Sequence, residues 1–411
     1  MRQAPHNKKN LSSIFWIIFL DEIGMTIGFP VLTFLCFDKK SSLFAITTSH
    51  AIRSYWYGII NSLPFIIALF SVPLLSWLSD HQGRKRILLL GAFGAFSYAA
   101  FTAAGILTGT IFLLIIGCII NGLFSRTEPV ALAVIGDSSD DNNKMLRMGL
   151  LQFCIAAGAF LGPLIGGYFT ERFWFHKLNF SMPYLIGAGF GTLTFVFVLL
   201  IFKETLSTHR SKRKISFTDT LSLLRNPQVI KISLALLLIQ LSWRTYYQFI
   251  PPVLKLHFHY SATIIGIFIA VIALWLALAA SLGLKFLANF FTQQQIFHAS
   301  YITVFCGLLL ANIANLLPTG ILSQILSWIA AAPIAIGDVI SYSLITTFYS
   351  NAVAATDQGK VMGINYIIYG SVWAMTGLIG GYLAAINVNA PIMLAPISIA
   401  LLLLIKTVVN L

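Results

Sequence analysis

Charged side chains stand inside several of the most apolar runs of this chain. The run "LFSRTEPVALAVIGD", residues 123–137, sets Arg126 and Glu128 two residues apart, with "TIFLLIIGCIING" before them and "VALAVIG" after. Asp21 and Glu22 interrupt "LSSIFWIIFLDEIGMTIGFPVL", Arg244 interrupts "QLSWRTYYQFIPP", and Asp338 interrupts "APIAIGDVISYS". A carboxyl partly withdrawn from water can load and release a proton near neutral pH. A guanidinium in the same surroundings can hold a carboxylate or an anionic ligand. On insertion scales each such charge costs about 2.5–3.5 kcal/mol at a lipid-facing helix centre. Six of them require a wet interior and mutual pairing.

The elements that must position these residues are membrane spans. Of 411 residues, 58% are hydrophobic and only 9% charged, against about 25% charged in a soluble domain. Windows of about 20 apolar residues predict twelve spans, near 12–36, 55–78, 87–108, 110–136, 147–169, 183–202, 229–253, 262–284, 295–317, 320–346, 360–384 and 388–407. The first is too long, and lacks a small-residue cleavage site, for a secretory signal. The long hydrophilic stretch "KETLSTHRSKRKISFTDTLSLLRNPQ" predicts a cytoplasmic linker, 203–228, between bundles 1–202 and 229–411.

The formal charge of +13 follows topology and does not point to nucleic acid. Basic residues gather in alternate loops: Arg2, Lys8 and Lys9; Arg84 to Arg86; Lys144 and Arg147; then Lys203, Arg210, Lys212, Arg213, Lys214 and Arg225. That asymmetry predicts both termini in the cytoplasm and a multi-pass protein of the inner (plasma) membrane. Cys36, Cys118, Cys154 and Cys306 lack metal-ligand spacing and are expected to be small buried hydrophobes. No metal site is expected.

The two halves repeat. "MGLLQFCIAAGAFLGPLIGGY" (148–168) aligns without a gap on "MGINYIIYGSVWAMTGLIGGY" (362–382), and "FPVL" (29–32) recurs as "PPVL" (251–254). The second alignment sets Glu22 opposite Arg244. Duplication of this kind is the mark of transporters whose site lies at the midplane between repeats. The fold class expected is all-α integral membrane, with twelve transmembrane helices in two pseudo-symmetric six-helix bundles.

Helical spacing assigns faces. Gln240, Arg244, Tyr247, Gln248 and Pro251 share one face of span seven, a polar and aromatic stripe. Asp21 shares a face with Gly24 and Gly28, while Glu22 points about 100° away. One acid therefore meets span five and the other the cavity, and periodicity leaves open which. Arg126 lies eleven residues deeper than Asp137, roughly 16 Å at 1.5 Å per residue. Pro129 removes a hydrogen bond to Ser125 and distorts that turn.

At this point the chain resembles the major facilitator superfamily, and within it the 12-helix drug:proton antiporter, tetracycline-efflux-like branch. "LDEIGMTIGFPVL" (20–32) looks like the helix-one motif of that branch, and "SWLSDHQGRKRILL" (76–89) like the superfamily loop between helices two and three. Asp80, Gly83, Arg84 and Lys85 are in place there, while Ser76 and His81 depart from the pattern. "GLLQFCIAAGAFLGPLIGG" (149–167) matches the antiporter motif of helix five through Gly149, Gly158, Gly162, Pro163, Gly166 and Gly167. The helix-four motif is broken, because Cys118 stands where an arginine is usual. The glycines of the helix-five motif are expected to let a neighbouring helix approach closely, with helix one meeting them through Gly24 and Gly28. The resemblance implies that spans 1, 4, 7 and 10, which carry every mid-membrane charge, line a central cavity. It also implies a conformational latch of Asp80, Gly83, Arg84 and Asp137.

The expected function is secondary active transport of a small molecule by alternating access, as proton-coupled efflux. Asp21, Glu22 and Asp338 are the candidate proton carriers. Arg126, Glu128, Gln240, Arg244, Tyr247 and Gln248 are the candidate substrate contacts. No cofactor is expected beyond a proton gradient, and the partners are a small molecule and the bilayer, with the protein acting as a monomer. The alternative is uptake or exchange of an organic anion, such as a carboxylate metabolite or siderophore, held by Arg126 and Arg244. An enzyme is not expected: HExxH, GxSxG and Walker sequences are missing.

Overall fold

A computed structural model describes residues 5–39, 41–124, 127–138, 141–171, 180–205, 217–354 and 357–405, without the side chains of 5–11, 136–138, 141–145 and 217–219. The described elements are all helical. Span one is two helices, Pro5–Thr26 and Gly28–Phe37. The sequence predicted one continuous helix; the turn at Ile27 arises because Pro30 has no N–H to donate to the Thr26 carbonyl. Spans two and three are His50–Gln82 and Arg84–Thr108. Span four is Ile111–Phe124 and then Glu128–Ser138, the second piece starting one residue before Pro129. Spans five and six are Asp141–Glu171 and Met182–Leu200.

A short helix, Phe217–Ser222, lies in the linker. Span seven, Pro227–Leu256, opens with the Asn226 side chain accepting the Gln228 N–H at 2.9 Å and Pro227 in the first turn, where its missing donor goes unnoticed. Span eight, Ala262–Leu278, runs through a π turn, Ala279–Gly283, into Leu284–Leu287. Span nine, Gln293–Leu316, starts on a capping box of Thr292 and Gln295. Spans ten, eleven and twelve are Ile321–Asn351, Gln358–Ile386 and Ala390–Leu404. Among the described residues, eleven spans are long and apolar enough to cross a membrane, and Ala390–Leu404 is a shorter apolar helix. Many large apolar side chains, Phe70, Leu200 and Ile321 among them, stay exposed, which suits contact with lipid.

Contacts group the chain into two compact units. The first contains Met1–Thr48, Leu63–Ile215 and Ser261–Val271; the second contains Ser49–Ser62, Ser216–Tyr260 and Ile272–Leu411. This grouping differs from a division at the linker in two segments, the opening stretches of spans two and eight. Both go where small residues let backbones meet. A Cβ on Gly167 would strike Ala262 and Gly266 of span eight in unit one. A Cβ on Gly381, its repeat equivalent, would strike Gly58 and Ser54 of span two in unit two. The core of unit one gathers Ile14, Ile17, Leu88, Val134 and Leu151 from spans one, three, four and five, with Phe202 from just past the end of span six.

Candidate functional site

In unit two the stripe of span seven meets spans ten and eleven. Gln240 Nε2 donates to Asp338 Oδ1 at 2.9 Å, and Arg244 Nε donates to Gln240 Oε1 at 3.0 Å. All three residues are buried. The Arg244 guanidinium carbon lies 4.3 Å from the centre of the Tyr369 ring and 4.4 Å from that of Trp373. Those ring centres are 6.4 Å apart, so the cation occupies the notch between two rings and is not sandwiched. Such contacts are worth roughly 0.5–2 kcal/mol each, more as water is excluded. Tyr247 extends the aromatic wall, stacked on Trp243 at 5.3 Å and edge-on to Trp373 at 6.2 Å.

Gln248 serves a different end. Its Nε2 donates to the Trp373 carbonyl at 3.1 Å, and its Oε1 accepts from Thr376 Oγ1 at 3.4 Å. Its own backbone carbonyl accepts from Tyr57 Oη at 2.7 Å. Gln248 fixes the register of span eleven on span seven. Tyr369 was missed from sequence; its signal was its place one helical turn before Trp373, which sets both rings toward Arg244 of span seven.

In unit one, Thr127 Oγ1 donates to Asp21 Oδ2, joining span one to the break in span four. The question between the two acids of span one is resolved by packing. A Cβ on Gly158 would fall on Glu22, so Glu22 is the acid that meets span five. Gly162 lies on Thr26 and Ile23, and Gly166 on Ile27 and Pro30. Span one is thus the close neighbour of span five, but not through Gly24 and Gly28. Those face span six, at Gly187 and Tyr184, because they lie on the opposite side of the helix from Glu22 and Thr26. Gly149 is also corrected: a Cβ there meets nothing within 4 Å, so it takes no part in the packing stripe. Glu128 is exposed in the first turn of its helix. Arg126 lies outside the described residues, as does the Asp137 side chain.

The turn between spans two and three is built around Gly83, whose φ of 108° only glycine adopts without strain. Arg84 Nη1 donates to Asp80 Oδ1 at 2.6 Å and to Ser79 Oγ at 3.1 Å. Glu204, absent from the sequence-derived latch, receives the backbone N–H groups of Arg84 and Lys85 at 2.9 and 3.1 Å. Its carboxylate closes the positive end of span three. Lys85 Nζ answers by donating to the Leu199 carbonyl of span six at 2.9 Å.

Buried charges on spans one, seven and ten of a many-span helical protein are the mark of a membrane transporter. The sequence profile of the Major Facilitator Superfamily matches residues 14–378, and the chain belongs to that family. It is 25% identical over 361 residues to the class E tetracycline resistance protein of Escherichia coli, covering 85% of this chain and 81% of that one. Against the MdtG multidrug resistance protein of Klebsiella pneumoniae it is 25% identical over 256 residues, 62% of this chain and 58% of the relative. Among solved structures, the nucleoside transporter NupG superposes with a TM-score of 0.78 at 12% identity, covering 97% of this chain and 99% of NupG. The human organic anion transporter MFSD10 gives 0.67 at 17% identity, with the same coverage. The protein is a multi-pass membrane transporter of small molecules, not an enzyme.

Proposed function

We propose that the protein exports a small molecule in exchange for protons. One observation carries this reading: each unit contains a buried carboxyl hydrogen-bonded to a neutral side chain across repeat-equivalent spans. Asp21 of span one takes its bond from Thr127 of span four, and Asp338 of span ten takes its bond from Gln240 of span seven. A hydroxyl or amide partner tolerates either protonation state of a carboxyl, as a proton carrier requires. Asp21 is the first candidate carrier and Asp338 the second. Export is supported by the helix-five motif and by relatives named for tetracycline and multidrug resistance. The proton gradient is the energy source, the placement of basic loops supports an inner-membrane location with both termini in the cytoplasm, and the protein acts as a monomer.

The test uses everted vesicles energised by respiration, with an internal pH dye and tetracycline as first probe. Export by antiport releases protons when the probe is added, and Asp21→Asn abolishes the release while leaving probe counterflow. Counterflow with no proton movement in the wild type would instead favour exchange of an organic anion.

A further inference from the structure

We infer that Arg244, seated in the notch of Tyr369 and Trp373, is the recognition point for a small planar aromatic carboxylate. This names a substrate class for the transport reading above and rests on it. Arg244 has five N–H donors, of which Nε is engaged by Gln240. Among the described residues, Nη1 and Nη2 have no acceptor, and the 9% of Arg244 that stays exposed leaves them accessible. The two rings hold the guanidinium in one orientation, so little freedom is lost when a ligand docks.

A free guanidinium edge is a planar fork that matches a carboxylate with two parallel bonds. The neighbouring Asp338 is one amide away, so Arg244 keeps most of its attraction for a single negative charge. The same carboxylate disfavours a dianion such as a phosphate ester. Tyr247, stacked on Trp243, continues the wall beyond Trp373 and suits a ring lying flat or edge-on.

The experiment measures binding of radiolabelled benzoate to the purified full-length protein by scintillation proximity. Unlabelled benzamide, its neutral isostere, and cyclohexanecarboxylate, its non-planar analogue, serve as competitors. Benzamide should compete at least tenfold less well than benzoate, and cyclohexanecarboxylate several-fold less well. Arg244→Lys keeps the charge but loses the fork, and should weaken binding at least tenfold with unchanged elution and melting. Asp338→Asn keeps the acceptor for Gln240 and removes the competing charge, so it should bind benzoate at least threefold tighter. Equal competition by benzamide, unaltered binding in Arg244→Lys, weaker binding in Asp338→Asn, or no benzoate binding by folded wild type would each overturn the assignment. Tetracycline-driven proton release without benzoate binding removes the subsite alone. Benzoate binding without proton movement for any probe removes the antiport reading and leaves the subsite.

Discussion

Arg244 and Asp338 are joined through a single amide and do not touch. Gln240 accepts from one and donates to the other, at 3.0 and 2.9 Å, and among the described residues the two charges form no ion pair within 4 Å. A direct pair in a buried site would hold both charges tightly. An amide spacer leaves each available to a second partner.

The first prediction concerns that spacer. Gln240→Leu removes both bonds and leaves a buried carboxyl without its donor, a loss of about 1–3 kcal/mol. Melting in detergent should fall by several degrees, and proton-driven transport should drop at least tenfold. Gln240→Glu keeps the acceptor for Arg244 and should spare more stability than transport. Wild-type transport in both variants would show the amide to be a bystander.

Span one gives the second. Asp21→Asn should abolish pH-driven accumulation in proteoliposomes yet keep counterflow, and Thr127→Val should shift the pH profile of transport. Glu22→Gln should change rates less than threefold, because Glu22 packs against Gly158. The reverse ranking would transfer the carrier role to Glu22.

The packing stripe yields a contrast between two glycines. Gly162→Leu drives a side chain into Thr26 and the span-one backbone, and should cost about 1–3 kcal/mol or more. Gly149→Ala meets open space and should gain up to about 1 kcal/mol through helix propensity. Thermal unfolding of the two variants decides it; equal losses would mean that Gly149 has a partner after all.

Glu204 supplies the fourth. Glu204→Ala leaves two N–H groups of span three without an acceptor, which costs about 1 kcal/mol, and should slow turnover while keeping substrate affinity within threefold. Gly83→Ala should be worse, since it adds backbone strain at φ 108° to a collision with Glu204. Single-turnover and equilibrium binding measurements separate the two effects. A large affinity loss in Glu204→Ala would count against a conformational role.

Much of this was legible in the sequence, and the reasons for the misses are physical. The spans, the repeat and the polar face of span seven follow from hydropathy and helical period, both properties of a chain taken alone. Period says which side chains share a face but not which helix that face meets. Gly24 and Gly28 therefore looked equivalent to the partners of Gly158, and only packing assigned them to span six. Gly149 fits the motif by sequence yet lies where no neighbour comes close. Glu204 reads as an ordinary loop acid until the chain brings it back to the start of span three. The turn at Ile27 was implicit in Pro30, but prolines are common enough in spans, as Pro64 and Pro163 inside unbroken helices show.

The opening stretch of span two belongs to unit two, where Gly58 meets Gly377 and Gly381. Those partners lie more than three hundred residues downstream. At about 5–20 residues per second, synthesis reaches them on the order of a minute or less after Gly58. Throughout that interval the helix sits in the bilayer with a groove of glycine and serine facing lipid or an insertion factor. The seat of Gly58 is therefore made late: it waits for span eleven, and only span twelve follows before unit two is whole. Chains stalled before residue 377 should leave Gly58→Cys open to a membrane-permeant thiol reagent that the finished protein excludes.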